Sequence, residues 1–212
     1  DHALAAAQRV LALATASADS VLHALANRYL GVAYQLQGDY RRAIDCCTQT
    51  VASLEGARRH ERFGQVVLPA VSSYAWLAWC HAELGMFAEG RALGEEGLRI
   101  AEAVDRPYSL IEVYTGLGLL YLRKGDLHQA IAALERGLSI YQAWPGPLFF
   151  PALASALGLA YALDGRTAEA LPLLEQAISK ESRGRQTQRV ARLSEAYLLG
   201  GRTEDAFDWA QR

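Results

Sequence analysis

The stretch Leu117-Gly118-Leu119-Leu120-Tyr121-Leu122-Arg123-Lys124-Gly125-Asp126-Leu127-His128-Gln129-Ala130 decides the architecture, because its key residues return elsewhere at the same offsets. Leu30-Gly31 with Tyr34, Gly38-Asp39 and Ala43 is one copy; Leu157-Gly158 with Tyr161, Gly165-Arg166-Thr167 and Ala170 is another. Two looser copies run from Leu77, Ala78 and His81 to Gly85, Phe87 and Gly90, and from Leu193, Ser194 and Tyr197 to Gly201, Thr203 and Ala206. The turn glycines Gly38, Gly85, Gly125, Gly165 and Gly201 are spaced 47, 40, 40 and 36 residues apart, the mark of a repeat architecture.

Each copy reads as a helical hairpin. A first helix ends at a glycine able to adopt the left-handed conformation, an Asp or Thr caps the next helix within two residues, and the second helix folds back antiparallel. The small residue after each Leu (Gly31, Ala78, Gly118, Gly158, Ser194) and the small one early in the second helix (Ala43, Gly90, Ala130, Ala170, Ala206) recur in phase, as close backbone approach requires. The Tyr or His three positions on fills the space above them. Stacking hairpins then buries what one hairpin leaves open.

These residues resemble the tetratricopeptide repeat (TPR) family, with its Leu-Gly-x-x-Tyr, Gly-x-Tyr and later Ala, Phe and Ala positions. Tyr40 and Phe87 match the aromatic after the turn, Leu127 and Thr167 depart from it, and Cys47, Gly94, Leu134 and Leu174 stand in the later Phe slot. The resemblance implies an all-α fold, a right-handed α-solenoid of about eleven helices. The long period also resembles the C-terminal arrays of large bacterial ATPases and cyclase-linked signalling proteins. Residues 1–212 are expected to form one solenoid: 1–18 the second helix of a truncated repeat, then hairpins at 20–55, 64–104, 107–143, 147–180 and 187–211. The chain lacks a starting Met and reads as part of something longer.

Composition agrees with helices. Of 212 residues 38 are Ala and 32 are Leu, while Pro occurs six times and 51% of the chain is hydrophobic. A formal net charge of -2 argues against duplex nucleic acid as a partner, and no apolar run approaches the ~18 residues of a membrane span. Three cysteines, two of them adjacent (Cys46, Cys47 and Cys80), give no disulfide framework, so a reducing, cytoplasmic compartment is expected.

Catalytic chemistry finds no foothold. Gly116-Leu117-Gly118 lacks the third glycine and the preceding strand of a dinucleotide loop, and no Gly-Lys-Ser or Gly-Lys-Thr occurs. The five histidines share no metal-ligand spacing with the cysteines, and His81 takes a repeat's Tyr slot. Glu95 and Glu96 are adjacent on one helix and read as solvated. The basic run Lys180, Arg183, Arg185, Arg189 and Arg192 lacks interleaved aromatics and reads as a solvated linker. No enzyme, cofactor or metal is expected.

The concave surface lined by first helices carries the functional expectation. The position after the small residue holds Val32, Trp79, Leu119, Leu159 and Glu195; one turn earlier stand Arg28, Ala75, Thr115, Ser155 and Ala191, and one turn later Gln35, Ala82, Leu122, Ala162 and Leu198. With one Asn and two Lys in the chain, a clamp for a charged C-terminus is disfavoured and an apolar groove is expected, with Arg28 and Arg123 at its margins. The segment Tyr141, Trp144, Pro145, Pro147, Phe149, Phe150 and Pro151 forms an inter-repeat plug or an aromatic pocket. The function expected is a protein-interaction scaffold or sensor whose groove holds a helical or extended segment, from another protein or the parent chain. The alternative is a regulatory domain of a signalling ATPase or cyclase that takes a small apolar effector. Apolar stripes at both solenoid ends predict self-association.

Overall fold

The computed structural model describes residues 2–146, 148–180 and 186–211, so Pro147, Arg183 and Arg185 lie outside the described residues. All five turn glycines sit at φ between 73° and 82°. In each turn the residue after the glycine donates its N–H to the carbonyl of the repeat's Tyr or His: Asp39 to Tyr34, Met86 to His81, Asp126 to Tyr121, Arg166 to Tyr161 and Arg202 to Tyr197, at 2.8–2.9 Å. This bond closes a Schellman turn, so the glycine and the repeat's Tyr or His belong to one local device.

Eleven α-helices and no strand appear among the described residues. They are α1 (His2–Ser17), α2 (Ser20–Leu36), α3 (Tyr40–Ser53), α4 (Pro69–Glu83), α5 (Phe87–Ala103), α6 (Pro107–Lys124), α7 (Leu127–Ala143), α8 (Phe150–Leu163), α9 (Thr167–Ser179), α10 (Gln186–Leu199) and α11 (Thr203–Ala210). Asp39 and Asp126 cap as expected, accepting from the backbone N–H of Arg42 and Gln129. Thr167 and Thr203 do not cap. They are the first helical residues, and the preceding Arg166 and Arg202 instead pair with Glu169 and Asp205, each at 2.7 Å, one turn into the helix.

Two boundaries depart from the pattern. Helix α4 starts at Pro69 rather than 64, because proline suits the first helical position and holds Leu68 extended; a 3-10 helix (Gly56–His60) and a turn with Phe63 and Gly64 at positive φ fill the gap. Helix α8 starts at Phe150, with Pro151 in its first turn. Helix α9 starts at Thr167, where the repeat puts it, and runs through Pro172.

The small residues mark contact points within hairpins. A Cβ added to Gly31 would stand 2.5 Å from Cys47 Sγ, one on Gly158 2.6 Å from Leu174 Cγ, and one on Gly118 would collide with Leu134. The later Phe slot of the family pattern therefore packs into the gap the small residue leaves. In the second hairpin both positions are small, Ala78 and Gly94, and Leu117 of the next repeat fills the space.

Successive first helices α2, α4, α6, α8 and α10 touch one another, whereas each second helix packs on its own partner and the following first helix. Shorter spacing on one side of the stack makes the first-helix layer the inner face. The tightest point is between α4 and α6, where a Cβ on Gly116 would lie 2.7 Å from the Ala75 carbonyl oxygen. The largest cluster of buried residues spans Ile111 and Leu134 to Tyr197 and Ala206, across the last three hairpins.

Candidate functional site

The 3.6-residue period brings Arg28, Ser72 and Glu112, one from each of the first helices α2, α4 and α6, onto the inner face. Arg28 Nη1 donates to Ser72 Oγ at 2.9 Å, and the Ser72 hydroxyl donates to Glu112 Oε1 at 2.9 Å, where the Trp76 indole N–H also arrives at 3.2 Å. A hydroxyl thus relays between guanidinium and carboxylate. Burial pushes the Glu112 carboxyl up, opposed by the Arg28 charge and by the hydrogen bonds from Ser72 and Trp76. Arg28 Nε, Gln35 Oε1 and Glu112 Oε2 are enclosed without a hydrogen-bond partner among the described residues.

Further along the layer Trp76 and Trp79 stack, their ring centroids 5.2 Å apart and planes 18° from parallel. Trp79 Nε1 donates to Glu83 Oε1 at 2.9 Å, and Arg123 Nε reaches the same oxygen at 2.8 Å. Each indole is tethered at its polar edge, Trp76 to α6 and Trp79 within its own helix, while both side chains stay half-buried. Past this pair Arg192 Nη1 donates to the fully buried Ser155 Oγ at 3.1 Å, and Arg189 Nε to the Pro151 carbonyl at 3.1 Å. Burial and the nearby charges of Arg123 and Arg189 hold the Arg192 guanidinium down to about 10, with Glu83 and Glu195 opposing. It stays charged at neutral pH.

Of the residues the spacing assigns to the groove, Val32, Trp79, Thr115 and Leu122 are half-buried and Arg123 is exposed. Arg28, Gln35 and Ser155 are buried, as are Leu119 at 5% and Leu159 at 9% exposure. Trp79 and Leu122 pack against the cluster that contains Leu119. The leucines therefore form the floor, and the features that rise from it are the tryptophan pair and charged side chains. Arg28 is not at an open margin but buried, as the donor end of the relay.

The repeat spacing does not single out Ser72, Trp76, Glu83, Glu112 or Arg192. Ser72 and Glu112 lie one turn before the earliest groove position, and the sequence does carry a signal for Glu112: it is the one charged residue between Arg106 and Arg123. Arg28 stands out equally, as the one Arg, Lys, Asp or Glu within α2.

The aromatic segment divides. Phe149 stacks on Tyr108 with centroids 5.3 Å apart, Tyr141 meets Phe150 at 5.2 Å, and the 6%-exposed Phe150 belongs to a small core cluster with Ala154 and Ala177. Trp144 is 59% exposed and shares no ring contact with the other three among the described residues.

Two family models, both described as tetratricopeptide repeat, match, one over residues 70–143 and the other over 30–60 and 152–186. No curated protein matches the chain. Among solved structures the chain is similar to BtubC (BKLC) from P. vanneervenii, at 18% identity and a TM-score of 0.66 over 100% of this chain and 88% of that one. It is also similar to a thermophilic TPR protein, TTC0263, from Thermus thermophilus, at 21% identity and a TM-score of 0.64 over 88% and 87%. With aspartyl phosphate phosphatase F from Bacillus subtilis it shares 14% identity and a TM-score of 0.59, covering 93% of this chain and 52% of that chain. At these identities the likeness is one of fold. Repeat by repeat, in its turns, its small-residue contacts and its layered first helices, the chain belongs to the tetratricopeptide repeat family.

Proposed function

We propose that this chain is a non-enzymatic interaction module that takes a helical or extended segment, from another protein or its own parent chain, across the inner face at Trp76 and Trp79. The tetratricopeptide fold supports a protein-interaction or scaffold role as such. The observation that carries the finer reading is the stacked, half-buried tryptophan pair with both indole N–H groups tied back to carboxylates. Rings held in this way offer broad apolar surface with little left to order on binding. Arg123 pairs with the Glu83 that tethers Trp79, and Arg192, which feels the charge of Glu83, forms no ion pair with a carboxylate among the described residues. The segment that suits this face sets an apolar side chain against the indoles and an acidic one toward the arginines. Three free cysteines, their thiols pushed up by burial, suit a reducing compartment and a cytoplasmic protein.

The test pairs pull-down from native extract with thermal melts of wild type, Trp79→Ala, Arg123→Ala and Leu119→Ser. Loss of such an anchor costs on the order of 2 kcal/mol of binding, about thirtyfold in affinity. Trp79→Ala should shed the captured partner and melt less far below wild type than Leu119→Ser does. Retention of every partner by Trp79→Ala and Arg123→Ala would place binding elsewhere.

A further inference from the structure

The hydrogen bonds to Glu112 are uneven. Oε1 accepts twice, from the Ser72 hydroxyl at 2.9 Å and from the Trp76 indole N–H at 3.2 Å, while Oε2 is enclosed and accepts from nothing among the described residues. This pattern suits a neutral carboxyl, whose carbonyl oxygen takes both donors and whose other oxygen carries the proton. An ionised carboxylate needs donors at both oxygens, and an enclosed, bare charged oxygen costs more than a bare neutral one.

A donor stands close by. Arg28 is a single hydroxyl away, its Nη1 bonded to Ser72 at 2.9 Å, and its Nε is likewise enclosed with no acceptor among the described residues. The bare donor and the bare acceptor are complementary and belong to the two ends of one relay. From α3 the Cys47 thiol comes within range of the Glu112 charge, and burial keeps that thiol protonated. From α4 come the neutral Ser72 and Trp76, and Arg28 on α2 is the one charge acting on the carboxyl among the described residues. An ionised Glu112 therefore has one direction in which to turn.

We propose that Glu112 is a positioning residue with two settings: neutral, it holds the Trp76 indole on the inner face; ionised, it turns to Arg28 and releases the indole. Burial raises the carboxyl above its ordinary 4.5, and a fully buried glutamate can reach about 8–9, so the change of setting is expected between about pH 5 and pH 9. The consequence for binding rests on the reading of the tryptophan pair as the partner face. The stacked pair is whole in the neutral setting, so the partner's apolar side chain is held less well as pH rises.

The measurement is the exchange of the Trp76 indole proton with water, by NMR of the full chain, with Trp76→Phe assigning the signal among four tryptophans. Comparing wild type with Glu112→Gln at the same pH cancels base catalysis, because the glutamine is neutral throughout and still accepts from Trp76. The ratio of the two rates should be close to one at the low end of the range and rise about fivefold toward the high end, the worth of one hydrogen bond. Arg28→Met, which leaves the ionised carboxylate nowhere to turn, should show no such rise. In the pull-down, wild type should hold its partner about fivefold less well at the high end, while Glu112→Gln holds it equally at both. A ratio that falls with pH, stays flat, or rises as steeply in Arg28→Met would overturn the two settings whatever the chain binds. Equal loss of capture by wild type and Glu112→Gln would overturn the link to binding. Retention of every partner by Trp79→Ala would refute the binding face and leave the two settings standing.

Discussion

Gly116→Ala tests whether the inner face is held together by backbone contact between first helices. On helix propensity alone alanine should stabilise the interior of α6 by about 1 kcal/mol. The added Cβ would lie 2.7 Å from the Ala75 carbonyl oxygen and 3.1 Å from Ala75 Cα, and neither atom can rotate away as a side chain can. Relief requires α4 and α6 to separate by about half an ångström or more, against interiors packed as densely as organic crystals. That separation loosens the Ser72–Glu112 bond and the bond from the Leu68 N–H to Ser109 Oγ, both of which span these helices. Overpacking of this kind costs about 1–3 kcal/mol. Set against the propensity gain, the net expectation is destabilisation by up to about 2 kcal/mol, or up to roughly 8 °C in Tm for a chain of this size. Urea unfolding followed by helical circular dichroism, alongside a thermal melt, measures it. A midpoint above that of wild type, the propensity gain uncancelled, would show that the two backbones are not in contact and that the stacking of α4 on α6 is wrong.

Other consequences can be read the same way. Gly118→Leu forces a large side chain into Leu134 and should destabilise by about 1–3 kcal/mol; an unchanged denaturation midpoint would refute the contact. Because burial raises the Glu112 carboxyl above its ordinary 4.5, the folded chain holds that proton where the unfolded chain has lost it. The stability linked to Glu112 is therefore present below about pH 4.5 and lost as pH rises through the folded value. The stability difference between wild type and Glu112→Gln should accordingly shift against wild type as pH rises, and a constant difference in urea midpoints would exclude the effect. Leu13, Leu198, Leu199 and Phe207 are 51–65% exposed near the two ends, so the 212-residue chain should self-associate at tens of micromolar. Sedimentation of a strict monomer, or no change with Phe207→Ser and Leu199→Ser, would count against that.

The hairpins are legible in the sequence alone because their determinants are local. A turn glycine at positive φ, the Tyr or His carbonyl that closes the turn and the small residue facing the later Phe slot lie within about twenty residues of one another, and each recurrence repeats the same short-range geometry. The helix starts that depart from the repeat are local too, at Pro69 and Pro151, where proline outweighs the repeat's phase. The inner face is another matter. Arg28, Ser72 and Glu112 are 44 and 40 residues apart, and their relay exists only once three first helices stack. Periodicity places Leu119, Leu159 and Trp79 on the same stripe, yet the leucines sink to 5% and 9% exposure while the indole stays half-buried. That difference comes from how closely neighbouring helices approach, which Gly116 permits between α4 and α6; between α8 and α10 the half-buried Arg192 bonds across to Ser155. The bonds from Tyr161 to Glu135 and from Tyr197 to Glu175 arise in the same way, since each ties a second helix to the first helix of the next hairpin and exists only once the hairpins stack.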